Sequence, residues 1–136
     1  MATDLEKELE QELERTTEMR GFRYGLHDFV AAVGGVEALR KHNDNTAAHY
    51  LKQGLLDRKT KELLIIVACV ASGDLVSHIQ IHMHAARKAG ATPEEIMEAL
   101  ELTGGWIGIK RAVGLEAWRA TFRPDIPTID RVVELR

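Results

Sequence analysis

Apolar residues recur along this chain at helical spacing, in blocks separated by glycine and proline. In the charged segment 4–18, Leu5, Leu9 and Leu13 repeat every four residues. This narrow stripe on an otherwise solvated helix suits an arm lying on a neighbouring surface. Short helices are predicted over 26–33 and 36–53, with Gly34 and Gly35 between them and Gly54 as a stop. Asp57 is placed to cap a helix from Arg58 to about Ser72. Its run Leu63 to Ala71 is apolar all round, which predicts burial on most sides. A β-branched run of this kind also reads as a buried strand, but the capped, charged start and the length favour a helix. Gly73 breaks the chain, Asp74 is positioned to cap a helix over 75–89, and Gly90 is the expected terminating glycine. Thr92-Pro93-Glu94-Glu95 opens another helix with a threonine cap, proline in the first turn and glutamate three residues on. That helix ends at Gly104-Gly105, a tight helix–helix turn. A last helix runs from Trp106 to Phe122, ended by Pro124 and Pro127, with a short tail helix after it. The expected fold class is all-α with an antiparallel helical hairpin (58–89) at its centre. Residues 1–20 are expected as an N-terminal helical arm and 21–136 as one helical domain.

Charge and composition narrow the partners. The formal net charge is −3, and no basic stripe with interleaved aromatics is present, so nucleic acid is not an expected partner. The longest apolar run is far shorter than the roughly 20 residues a bilayer span needs, so no membrane is expected. The acidic N-terminus has no apolar signal region, and the expected location is cytoplasmic. Cys69 is the single cysteine, so an intrachain disulfide and a Cys-x-x-Cys motif are both excluded.

The candidate chemistry lies in Ser77-His78-Ile79-Gln80-Ile81-His82-Met83-His84. His78 and His82 are one helical turn apart and share a face, so both can act on one ligand, proton or metal ion near neutral pH. His84 points largely away and reads as a surface residue, as do His27, His42 and His49. Trp118 and Trp106 read as packing anchors, with Trp106 also placed to wall a pocket.

Three pieces of the chain together carry a family resemblance. They are Leu56-Asp-Arg-Lys-Thr-Lys-Glu-Leu63, then His82 followed by Ala85-Ala-Arg-Lys-Ala-Gly-Ala-Thr-Pro-Glu-Glu-Ile-Met-Glu-Ala-Leu100, and Gly104-Gly105 with the region 112–117. The segment Leu56 to Ala120 resembles the carboxymuconolactone decarboxylase family, which includes the alkylhydroperoxidase D-like proteins. The resemblance implies an alkylhydroperoxidase D-like helical bundle assembled as a homotrimer or homohexamer. The redox branch carries Cys-x-x-Cys-x-x-x-His at the start of the second hairpin helix and a glutamate from the first. Aligned on Gly90, its histidine falls on His82, its second cysteine on His78 and its first on Leu75. Its glutamate falls on Glu62, with one extra residue near Ser72-Gly73. With neither cysteine present, thiol peroxidase chemistry is excluded at this site, because one thiolate must attack the peroxide and a second thiol must resolve it. Cys69 lies in the apolar run and is expected to be an inert, buried thiol.

What remains is acid–base chemistry on a small carboxylated substrate, lactone-like or keto-acid-like. His82 is the expected proton donor, His78 the oxyanion or carboxylate partner and Glu62 the group that orients an imidazole. No cofactor is required for that reaction. Arg58, Lys59, Lys61, Arg87 and Lys110 are cationic candidates for the substrate acid. Two alternatives stay open: a divalent metal held by His78, His82 and Glu62 with an open position, and a non-catalytic binding module.

Overall fold

The computed structural model describes residues 1–103 and 109–135. Its elements are α1 (Asp4–Arg20), α2 (Gly25–Thr46), a π-helical turn (Ala47–Leu51), α3 (Arg58–Ser72), α4 (Val76–Lys88), α5 (Pro93–Glu101) and α6 (Ile109–Phe122). Among the described residues there is no strand, and the all-helical build is that of an alkylhydroperoxidase D-like bundle. No helix among them is long and apolar enough to cross a membrane. The expected junction at Gly104-Gly105 and the expected role of Trp106 lie outside the described residues. The tail helix expected after Pro127 does not form, and residues 123–135 run through turns and bends. The chain divides into two compact units, Met1–Leu55 and Leu56–Arg136.

In the first unit α1 packs on α2. The expected leucine stripe is not the face that α1 hides. Leu5 is exposed and Leu9 and Leu13 are half-buried, while Glu12, Thr16 and Arg20 are buried. Those three sit at i, i+4 and i+8, one row of the helix, and meet the fully buried Asn43 of α2. The Asn43 amide donates to Glu12 Oε1 at 2.9 Å and to Thr16 Oγ1 at 3.0 Å, and its oxygen accepts from Arg20 Nη1 at 2.6 Å. The other Arg20 nitrogen donates to Thr46 Oγ1 at 2.7 Å. A buried polar row of this kind is tolerable because its groups find partners. His27, expected at the surface, is buried, with its ring 5.5 Å from His42. Burial, with Arg20 and His42 nearby, pushes its pKa down to about 4. The predicted break at Gly34-Gly35 appears as a kink within α2, where Gly35 has φ 71°, a value that favours glycine.

In the second unit the core is apolar. Ile66, Val70, Ile79, Met83, Ala86, Ile96, Leu100 and Ala117, from α3 to α6, form one cluster. The caps follow the sequence closely. Asp57 accepts from Thr60 N at 2.7 Å, and Thr92 and Glu95 form a reciprocal capping box. Glu95 also takes Lys59 Nζ at 2.5 Å, tying the start of α5 to the start of α3. Trp118 Nε1 donates to Pro93 O at 2.8 Å and so anchors α6 on α5. At Gly114 α6 packs tightly against its neighbours: a Cβ there would lie 2.7 Å from Val70 and 2.8 Å from Leu100. α3 is less enclosed than its apolar run predicted. Leu64 and Ala68 are exposed, because the packing partners α4, α5 and α6 cover one side of the helix only.

Candidate functional site

The α3–α4 hairpin reverses at Gly73, which has φ 77°. Gly73 N bonds Val70 O at 3.2 Å and Asp74 N bonds Cys69 O at 2.9 Å, the paired bonds of a Schellman turn. α4 begins at Val76, with Leu75 as its N-cap and no side-chain cap bond. Asp74 is therefore one residue too early to cap α4 as expected. Its carboxylate instead accepts from Leu75 N at 2.7 Å and from His78 Nδ1 at 2.5 Å.

One α-helical row of α4 carries both candidate imidazoles beside the core positions Ile79 and Met83. His82 is buried, and its Nδ1 lies 2.9 Å from Glu62 Oε2 across the hairpin. Glu62 has no exposed surface, and its other oxygen accepts Arg58 Nε at 2.8 Å from one turn back along α3. The pairing matters energetically: an unpaired buried carboxylate costs several kcal/mol. With a carboxylate oxygen at Nδ1, the His82 ring donates from that nitrogen, which fixes the tautomer of the neutral ring. His78 repeats the arrangement with Asp74 in a wetter place, where both side chains are 30% exposed. The two rings stand edge to face with centroids 4.9 Å apart. The result is a row of two carboxylate–imidazole pairs, Arg58–Glu62–His82 and His78–Asp74.

The structure thus brings His78, His82 and Glu62 together, and the other candidates fall elsewhere. Lys59 is engaged by Glu95, and Arg87 donates to Ala91 O at 2.6 Å at the end of α4. His84 and His49 are exposed. The side chain of Lys110 lies outside the described residues. Arg58 and Asp74 complete the row; the sequence offers Arg58 as a substrate cation or as an ion-pair partner of Glu62 within its helix, and Asp74 only as a cap. The i, i+4 spacings Arg58–Glu62 and Asp74–His78 were the available signal.

Cys69 is not surrounded by hydrocarbon alone. Its thiol hydrogen-bonds the Asp74 carboxylate, and burial together with that anion pushes its pKa up to about 11. Cys69, Asp74 and His78 place one donor atom each within 4.8 Å of one another.

Residues 36–121, more than half of the chain, match the family model of the carboxymuconolactone decarboxylase family. The chain belongs to that family. The matched span starts at Val36, just past the Gly35 kink, and contains every residue of the row from Arg58 to His82. As a carboxymuconolactone decarboxylase family member it departs from the redox branch at the two cysteine positions, Leu75 and His78. Comparisons with curated proteins and with solved structures give no match.

Proposed function

We propose that this family member is a decarboxylase-type lyase that uses imidazole acid–base chemistry on a small substrate whose carboxylate is β to a keto carbonyl or conjugated with a lactone carbonyl. The observation that carries the reading is Glu62, fully buried, with one oxygen on Arg58 and the other on His82. A carboxylate so enclosed holds one imidazole in one orientation and one tautomer, which is what a proton-transfer residue needs.

The chemistry follows from that geometry. Carbon–carbon cleavage releases carbon dioxide and leaves an electron pair on the α carbon. The conjugated carbonyl accepts it as a dienolate oxygen, so no added electron sink is required. His78 supplies a hydrogen bond for the substrate carboxylate or the developing oxyanion. His82 returns a proton to carbon from Nε2, while Glu62 balances the charge that accompanies the proton on the ring. Arg58 keeps Glu62 in place. The family likeness also supports a homotrimer or homohexamer, whose contacts would cover apolar positions such as Leu64 that the single chain leaves exposed.

The test is carbon dioxide release from a panel of carboxylated unsaturated lactones and 3-keto acids. We expect His82→Gln and Glu62→Gln to lose about 10²–10⁴ in kcat, the range of one general acid–base group. Circular dichroism spectra should stay at the wild-type level. Turnover unchanged in His82→Gln, or none by the wild type on any member of the panel, sinks the reading. Thiol-dependent peroxide reduction should be absent in both wild type and Cys69→Ser, because a thiol with a pKa of about 11 supplies little thiolate at neutral pH.

A further inference from the structure

The three donors beside the hairpin turn have a chemistry that the proposed lyase reaction does not use. Cys69 is at the end of α3, Asp74 is two residues past its last residue and His78 is in the first turn of α4. The Schellman turn folds the chain back so that Sγ, a carboxylate oxygen and an imidazole nitrogen fall within 4.8 Å of one another. A soft thiolate, an imidazole and a carboxylate form the mixed donor set of zinc and its neighbours among the transition metals, not of magnesium or calcium. Tetrahedral bonds of about 2.0–2.3 Å set donor–donor separations near 3.3–3.7 Å, within reach of side chains already this close. Cys69 is buried, while Asp74 and His78 are each partly open to solvent, so an ion has a path in and a position left for water or a ligand.

We infer that Cys69, Asp74 and His78 form a binding site for one zinc-like divalent transition-metal ion at the α3–α4 turn. The ion replaces the hydrogen bond between Asp74 and His78. The Cys69 proton leaves to solvent, the His78 proton shifts from Nδ1 to Nε2, and the two anionic ligands neutralise the ion. Metal-bound, His78 keeps an Nε2–H as a donor. The site shares His78 with the row proposed for the lyase reaction, but its existence does not depend on that reaction.

Cobalt(II) titration of the metal-stripped full chain tests this directly. The expected result is one equivalent per chain, with an intense near-ultraviolet thiolate-to-cobalt band that Cys69→Ser abolishes. Asp74→Asn and His78→Gln, at half-exposed positions that leave the core intact, should each weaken cobalt binding about tenfold or more. Glu62→Gln should retain the band. The inference fails if no saturable binding occurs or if cobalt binds without the thiolate band. It fails equally if Asp74→Asn and His78→Gln bind cobalt as tightly as the wild type.

Discussion

Among the described residues, the contact of α1 with α2 within residues 1–55 hides a polar row, while α3 to α6, from Leu56 onward, hide a mainly apolar cluster. The α1–α2 contact is centred on Asn43, Thr16, Arg20 and Glu12, each hydrogen-bonded. The α3–α6 core is built from Ile66, Val70, Ile79, Met83, Ile96 and Leu100. A polar contact fixes the register of two helices through directional bonds, and each lost partner strands another group. An apolar core is held by volume and tolerates shape-conserving exchange. In the second unit Glu62 and His82 are buried polar groups beside that apolar cluster, and they pair with each other rather than with a polar row.

The comparison can be broken most sharply by exchanging the two chemistries. Met83→Ala should cost about 2–5 kcal/mol, the range for emptying a methionine-sized volume in a closed core. Asn43→Leu should cost about 2–4 kcal/mol although it adds apolar surface, because Arg20 and Glu12 lose a buried partner. Urea denaturation measures both. An Asn43→Leu protein as stable as wild type would mean the polar row is ornamental. A smaller effect is expected at Gly114→Ala, about 1–3 kcal/mol, since the new methyl meets Val70 and Leu100 well inside van der Waals distance. Calorimetry should show a lowered Tm.

Acid separates the two units most gently. The His27 pKa is pushed from 6.5 to about 4 by burial. The unfolded chain therefore binds a proton that the folded one refuses between those values. The stability tied to neutral His27 is complete above about pH 6.5 and is lost as pH falls towards 4. Glu116 behaves likewise in a lower window. Its carboxylate, paired with Arg119 and bonded by Thr128 and Ile129, has its pKa lowered from 4.5 to about 2. Its contribution holds above about 4.5 and fades towards 2. Amide protection factors, corrected for the intrinsic pH dependence of exchange, should therefore fall in α1 and α2 between pH 6.5 and 4, while the amide of Ile129 stays protected until lower pH. Simultaneous loss of both would erase the distinction.

Much of the second unit was legible in the sequence because its signals are local. Asp57, Thr92 with Glu95, and Gly90 act within a few residues of themselves, and they set α3, α5 and the end of α4 where expected. The meeting of Glu62 with His82 was legible through the family likeness. The Arg58–Glu62 pair was legible as i, i+4 spacing on one helix, whereas Asp74 was not assigned to His78, because its role depends on how the turn aims a side chain. The polar face of α1 was missed for a related reason. Leu5, Leu9 and Leu13 imply an apolar seam, but the side that α2 covers is chosen by Asn43, a residue without periodicity to announce it. His27 was missed likewise, because the contacts of its ring with Tyr24 N, Phe22 and His42 follow no periodicity.

The left-handed glycine between α3 and α4 also governs phase. Each residue advances a helix by about 100°, so adding or removing one residue inside the first turn of α4, ahead of His78, would turn the rest of α4 by that angle. Both imidazoles would swing off their acids together. At this corner the chain is more sensitive to a change of length than to a change of letter.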